Sequence, residues 1–123
     1  HAPFILTKAI APSLIRHQGQ IINIGVCGLK GHSANTYATA YMLTKEALWG
    51  LTLAVARELA HQKVRVNMVS PGELNISVDH HRIPMHRPAY FWEVCRVVNF
   101  LLDPESSYIT GQNIEVAGGL GLI

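Results

Sequence analysis

Val64-Arg65-Val66-Asn67-Met68-Val69 is a short, largely apolar run closed by Ser70-Pro71-Gly72. A run of this length, rich in valine and ended by a Pro-Gly breaker, reads as a strand inside a sheet. Immediately upstream, residues 38–60 carry a helical period. Ala40, Leu43, Ala47, Leu48, Leu51, Ala54 and Val55 fall on one side, and Trp49, Leu53, Ala56 and Ala60 form a second stripe. A helix apolar on two sides is expected to be buried on two sides, against the sheet and against a second helix or a partner subunit.

Further upstream, Ile21-Ile22-Asn23-Ile24 reads as another buried strand after the punctuation Gln18-Gly19-Gln20. Ala2, Ile5, Leu6 and Ala9 put a helix at the very start. That helix has no initiator methionine and no Ser, Thr, Asp or Asn cap, so the chain reads as one cut inside or just before a helix. Downstream, residues 73–88 are irregular and rich in His and Pro. Phe91, Val94, Cys95, Val98 and Leu101 mark a third helix, stopped at Asp103-Pro104, and Asn113-Ile114-Glu115-Val116-Ala117 is a third strand before Gly118-Gly119. The order helix-strand, three times over, with continuously apolar strands, predicts an α/β fold with a parallel sheet and right-handed crossovers. Open doubly wound sheets commonly carry five or more strands, so three amount to about half of one.

Bulk properties narrow the function classes. The 123 residues make one domain, and 49% hydrophobic with 15% charged residues is a core-forming composition. A net charge of +2, with basic residues scattered, gives no footprint for nucleic acid or an anionic membrane. No apolar run approaches the roughly 20 residues a membrane span needs, and no signal peptide is visible. Cys27 and Cys95 lack metal-ligand spacing and read as free, buried thiols in a reducing compartment, that is, the cytoplasm. Asp79, His80, His81 and His86 share one segment, but without helical ligand spacing they read as solvated side chains, and no metal site is expected.

The chemistry sits in Tyr41-Met42-Leu43-Thr44-Lys45. A four-residue spacing puts the phenol and the ammonium on one helical face. An adjacent ammonium favours phenolate, which readies a tyrosine to hand its proton to a carbonyl oxygen near neutral pH. Taken alone the spacing is equally that of a half-buried tyrosine beside a solvated lysine, and its neighbourhood has to decide.

The neighbourhood resembles the C-terminal half of a short-chain dehydrogenase/reductase. Ile21-Ile22-Asn23-Ile24 resembles the strand before that family's active-site loop, and Tyr41 through Lys45 with Glu46-Ala47-Leu48 resembles its Tyr-x-x-x-Lys helix. Val64-Arg65-Val66-Asn67 running into Pro71-Gly72 resembles the strand and turn beneath the nicotinamide, and Tyr108-Ile109-Thr110-Gly111-Gln112 with Gly118-Gly119 resembles the C-terminal signature. Within the family the likeness is to 3-oxoacyl-carrier-protein reductases and to dihydromonapterin-type pteridine reductases. The resemblance implies that residues 1–123 are a partial Rossmann-type reductase domain without its N-terminal dinucleotide-binding half. It implies NADPH, or else NADH, as cofactor, a small carbonyl or pteridine substrate, and a homo-oligomer, with the missing N-terminal half as a further partner. Tyr41 and Lys45 are then the catalytic pair, and Tyr41, Lys45, Pro71 and Gly72 the cofactor contacts.

Three departures accompany the likeness. The glycine-rich pyrophosphate turn and the family's asparagine are not found, since Gly25, Gly28 and Gly31 form no Gly-x-Gly-x-x-Gly. The family's serine, or aspartate, belongs three residues after Asn23, where Val26 stands; Ser33 and Thr39 are the hydroxyls that a longer loop offers instead. The segment after Pro71-Gly72 is short, with the family threonine falling near Ile76 or Ser77. These departures leave a second expectation open, an impaired family member that acts as an oligomerising or binding module.

Overall fold

A computed structural model describes residues 1–29, 38–74 and 80–122. In chain order it contains helix α1 (Ala2–His17), strand β1 (Gln20–Ile24), helix α2 (Thr39–Leu59), strand β2 (Arg65–Pro71), helix α3 (Phe91–Leu102) and strand β3 (Asn113–Val116). The expected alternation is therefore the observed one. The three strands form a single parallel sheet in the order β1-β2-β3, with Ile21 opposite Val66 and Val69 opposite Ile114. β2 lies in the middle, and Val66 through Ser70 are all buried, which is why its sequence lacks the polar alternation of a half-exposed strand.

Helices cover both faces. Ala56 and Leu59 of α2 pack with Val64 and Val66, joined by Leu14 and Ile15 of α1 and Ile21 of β1. Asn23, two residues on from Ile21 and so on the same face, donates from Nδ2 to Thr52 Oγ1 of α2 at 2.9 Å. Gln20 is out of phase with both and reaches the other way, where Nε2 donates to the Leu102 carbonyl at the end of α3. α3 lies across all three strands on that second face.

This placement corrects the expectation of uniformly right-handed crossovers. The strands advance in one direction while α2 and α3 occupy opposite faces, so the two crossovers are of opposite hand. Residues 72–90 intervene between β2 and α3, so this connection is not the short strand–helix–strand unit from which the right-handed rule derives.

The two stripes of α2 also need redrawing. Thr52, Ala56 and Leu59 are its buried residues, with Leu48 and Val55 beside them half-buried. Ala56 thus belongs to the sheet face, whereas Leu43, Ala47 and Ala54, assigned to it from the period, are exposed. In α3, Leu101 is buried but Phe91 and Cys95 are exposed. Neither cysteine is fully buried, although both are free. A helix packed on a flat sheet covers a narrower stripe than one packed between two helices, so several residues on its apolar flanks stay in contact with solvent.

The polar side chains in the core are tied to specific backbone groups. Asn67, fully buried in β2, donates from Nδ2 to the Ile109 carbonyl and accepts at Oδ1 from the Gln112 amide, both at 2.9 Å. Thr110 Oγ1 accepts from the Val66 amide, and the Gly111 amide donates to the Val66 carbonyl. The turn before β3 is thereby clasped to β2. Asn67→Ala leaves the Gln112 amide without its side-chain acceptor and the Ile109 carbonyl with only the longer bond from Arg65 Nη1. It also empties a fully buried side-chain site, and an unmet polar group alone costs about 1–3 kcal/mol. A loss of about 2–4 kcal/mol in urea unfolding is expected; a loss below about 0.5 kcal/mol would show that the clasp contributes little.

Candidate functional site

Ligands of open α/β sheets bind beyond the carboxyl ends of the strands, and the candidate residues gather there. Tyr41 lies in the first turn of α2 and is 50% exposed, so a ligand can reach its side chain. One turn later Lys45 donates from Nζ to the Ile24 carbonyl, the last of β1, at 2.9 Å. Its ammonium stands 5.6 Å from the centroid of the Tyr41 ring, inside the range of a cation–π attraction. The lysine is thus anchored to the sheet through one of its three N–H bonds and holds its charge against the tyrosine. Thr44 Oγ1 donates to the Tyr41 carbonyl at 2.6 Å and braces the turn between them.

Pro71 closes β2, and its carbonyl accepts from the Cys27 amide at 3.0 Å. Gly72 follows and donates to the Val116 carbonyl. A Cβ at Gly72 would stand 2.8 Å from Ala117 Cα and 2.9 Å from its Cβ, so the chain can pass β3 here only as glycine. Val26 lies between Gly25 and Cys27 in the loop leaving β1. Gly25 itself has no room for a side chain, because an added Cβ would collide with Ser70 Oγ and Met68 Sδ. Thr39 opens α2. Ser33, Ile76, Ser77 and Asp79 lie outside the described residues.

Residues 80–82 form one short 3-10 turn. Among the described residues, no three His, Cys, Asp or Glu side chains come together as metal ligands do.

Two features went unread in the sequence. Glu115, a charged residue inside an apolar strand, was the visible signal for one. Its Oε1 accepts from the Gly28 amide at 3.0 Å, and its Oε2 faces Cys27 Sγ at 3.6 Å. Burial first, and the neighbouring Glu115 carboxylate second, push the Cys27 thiol up to about 11. The other is a fork between Arg87 and Glu93, at 2.7 and 2.9 Å, with Arg87 5.2 Å from the Tyr90 ring centroid. Hydrogen bonds from Arg87 and from the Tyr90 amide lower the Glu93 carboxyl to about 2. That pair edges a cavity of about 450 Å³ between β3 and α3, away from Tyr41. A groove of about 410 Å³ between α1 and α2 does reach Lys45, with Phe4, Thr44, Leu48 and Leu51 along its walls.

Comparison with known proteins decides what this geometry belongs to. The profile of a family described as "Enoyl-(Acyl carrier protein) reductase" matches residues 1–121. The chain belongs to the short-chain dehydrogenase/reductase family. It is 40% identical to 3-oxoacyl-[acyl-carrier-protein] reductase of Mus musculus, over 94% of this chain and 50% of that protein. It is 35% identical to the reductase of the same name from Thermotoga maritima, over 95% of this chain and 52% of the relative. Among solved structures, acetoin dehydrogenase from Salmonella typhimurium superposes with a TM-score of 0.88 at 34% identity, over 98% of this chain and 51% of that one. The acetoin dehydrogenase of Enterobacter cloacae gives a TM-score of 0.85 at 34% identity, over 97% and 50%. The chain thus spans about half the length of the short-chain dehydrogenase/reductases it matches, as the three-stranded half-sheet requires.

The contact of Gly72 with Ala117 accounts for this family turn without any ligand. Gly72→Ala is therefore expected to cost about 1–3 kcal/mol of stability in the chain alone, through overpacking at the β2–β3 crossing. Unchanged thermal unfolding of that variant would leave ligand contact as the reason for the glycine.

Proposed function

We propose that this chain carries the catalytic half of an NAD(P)H-dependent carbonyl reductase, with Tyr41 as proton donor and Lys45 as its electrostatic partner. The observation that supports the reading best is the Lys45 ammonium, held on the Ile24 carbonyl and 5.6 Å from the Tyr41 ring centroid, at the ligand-binding end of the sheet. The substrate class is a ketone, and a 3-oxoacyl group, carried in the names of the relatives from Mus musculus and Thermotoga maritima, is placed ahead of a pteridine. NADPH, preferred over NADH, supplies the hydride when bound. Tyr41 gives its phenolic proton to the carbonyl oxygen as the hydride reaches the carbonyl carbon, so a ketone becomes an alcohol. Lys45 would oppose the negative charge left on the tyrosine oxygen and would hold the ribose through its remaining N–H bonds. Pro71 and Gly72 would hold the nicotinamide end.

The residues present fit the nicotinamide end of the cofactor. They do not include a glycine-rich turn for the pyrophosphate, so a dinucleotide-binding N-terminal half must complete the site. Among the described residues β1 and β3 are the two edge strands, and β1, whose carboxyl end holds Lys45, is the edge proposed to receive the strand of such a half. Phe4, Ile5, Leu6 and Ile10 of α1 and Leu43 and Leu53 of α2 are exposed apolar residues, which fits a second copy packing on these helices in a homo-oligomer. Two free thiols fit a reducing, cytoplasmic setting.

Val26 supports a second reading, a binding module without turnover, because valine offers no hydrogen bond to a substrate oxygen. Tyr41→Phe separates the two in a polypeptide that joins this chain to a dinucleotide-binding half. Loss of ketone reduction by about 10²- to 10⁴-fold with unchanged NADPH affinity is expected, since the ring and its packing remain. Lys45→Ala should lower both turnover and cofactor affinity, and the double variant should lose less than the sum. A Tyr41→Phe protein that keeps most of its turnover removes the catalytic assignment.

The oligomer has its own test. Leu53 is 43% exposed, so Leu53→Glu leaves the monomer core intact while placing a charge on the apolar face. Sedimentation should show a shift toward monomer. An unchanged assembly would put the interface elsewhere.

A further inference from the structure

The loop that leaves β1 does not swing free above the sheet. Gly25 still donates to the Val69 carbonyl at 2.8 Å and Cys27 to the Pro71 carbonyl at 3.0 Å, so the ladder with β2 persists beyond the end of β1. The next amide, Gly28, has no strand beside it and is met by a side chain from β3. Glu115 Oε1 accepts from that amide at 3.0 Å, while Oε2 faces the Cys27 thiol at 3.6 Å. A single carboxylate thus holds two consecutive loop residues from across β2. Gly28 has φ of 91°, a left-handed conformation that turns its amide toward the acceptor. From above, Gly121 closes over the pair: a Cβ there would lie 2.5 Å from Glu115 Oε2 and 3.2 Å from Cys27 Sγ.

We propose that Glu115 is a positioning residue: its carboxylate clamps the β1–α2 loop at Cys27 and Gly28 and so sets where Val26, at the family's substrate-facing position, stands relative to Tyr41. A bond to a carboxylate is stronger than one between neutral groups, which suits a clamp that must hold a loop without strand pairing. The thiol must keep its proton to donate, and its upward shift under burial and the Glu115 charge agrees with that role. Nothing in the packing of β3 requires a carboxylate here, since its own backbone pairing with β2 is complete without the side chain. The bearing of the clamp on catalysis rests on the reductase reading above. The clamp itself does not, and the test below has no turnover readout, so the two fail separately.

An amide that donates to a carboxylate reports the titration of that carboxylate. In ¹⁵N-labelled chain, the Gly28 amide resonance is expected to move in a single step when acid protonates its carboxylate acceptor. The same resonance should stay still in Glu115→Gln. Hydrogen exchange at the Gly28 amide measures how firmly the loop is held. Glu115→Ala should speed that exchange by about tenfold or more, the equivalent of one charge-assisted hydrogen bond. Glu115→Gln keeps an oxygen for Gly28, so its exchange should stay closer to that of the parent than Glu115→Ala does. A Gly28 amide that ignores the carboxylate titration in the unmodified chain overturns the clamp, and this measurement stands even if Glu115→Ala fails to fold. A Gly28 exchange rate in Glu115→Ala equal to that of the parent overturns it as well.

Discussion

β2 is buried along five successive residues, and every polar group it carries into that environment has to find a partner within the protein. Two parallel neighbours satisfy most of its backbone. Its side chains do the rest of the work of assembly. Asn67 holds the turn before β3, and Ser70 Oγ donates to Asn113 Oδ1 at 2.6 Å inside β3. On the α2 face, Asn23 of β1 meets Thr52, which donates in turn to the Leu48 carbonyl. The sheet is therefore registered by a small set of amides and hydroxyls as much as by apolar burial. A buried polar group tolerates little displacement, so these bonds also fix the height at which the strand ends present their loops.

That accounting separates the family blocks into two kinds. Asn67, Thr110, Gly111 and Gly72 each have a complete explanation in packing or hydrogen bonding within the half-sheet. Tyr41 does not. It stands half in solvent at the start of α2, and the group arranged beside it is a lysine anchored on the sheet. Residues left unexplained by packing at the carboxyl end of a parallel sheet are where chemistry is to be sought. The division is informative because the same motifs, read as a family signature, carry no mark of which members support the fold and which serve a ligand.

The loop between β1 and α2 joins these two kinds. It starts with a glycine whose place admits no side chain, passes Val26, and is then caught by Glu115 from the far edge of the sheet. A donor at position 26 would be presented on a backbone held at both ends, by β2 and by β3. A valine side chain presented there offers no hydrogen bond. The groove between α1 and α2 opens on the same flank as Lys45.

Much of the fold is legible in the residues themselves. Apolar runs closed by Pro-Gly and Gly-Gly, with helical periods between them, determine six alternating elements, and the observed bounds fall within a few residues of the expected ones. The Tyr41–Lys45 pair follows from spacing, because four residues on a helix are neighbours whatever the helix packs against. Three things were decided only in the folded chain. The opposite hands of the two crossovers follow from which face α3 covers, and a helical period carries no information about that. The face α2 gives to the sheet is set by Thr52, Ala56 and Leu59 rather than by its most apolar stripe, because the buried Asn23–Thr52 bond fixes the helix rotation. The grip of Glu115 on Cys27 and Gly28 joins residues 88 and 87 positions apart, and such a contact exists only once β3 has been laid beside β2.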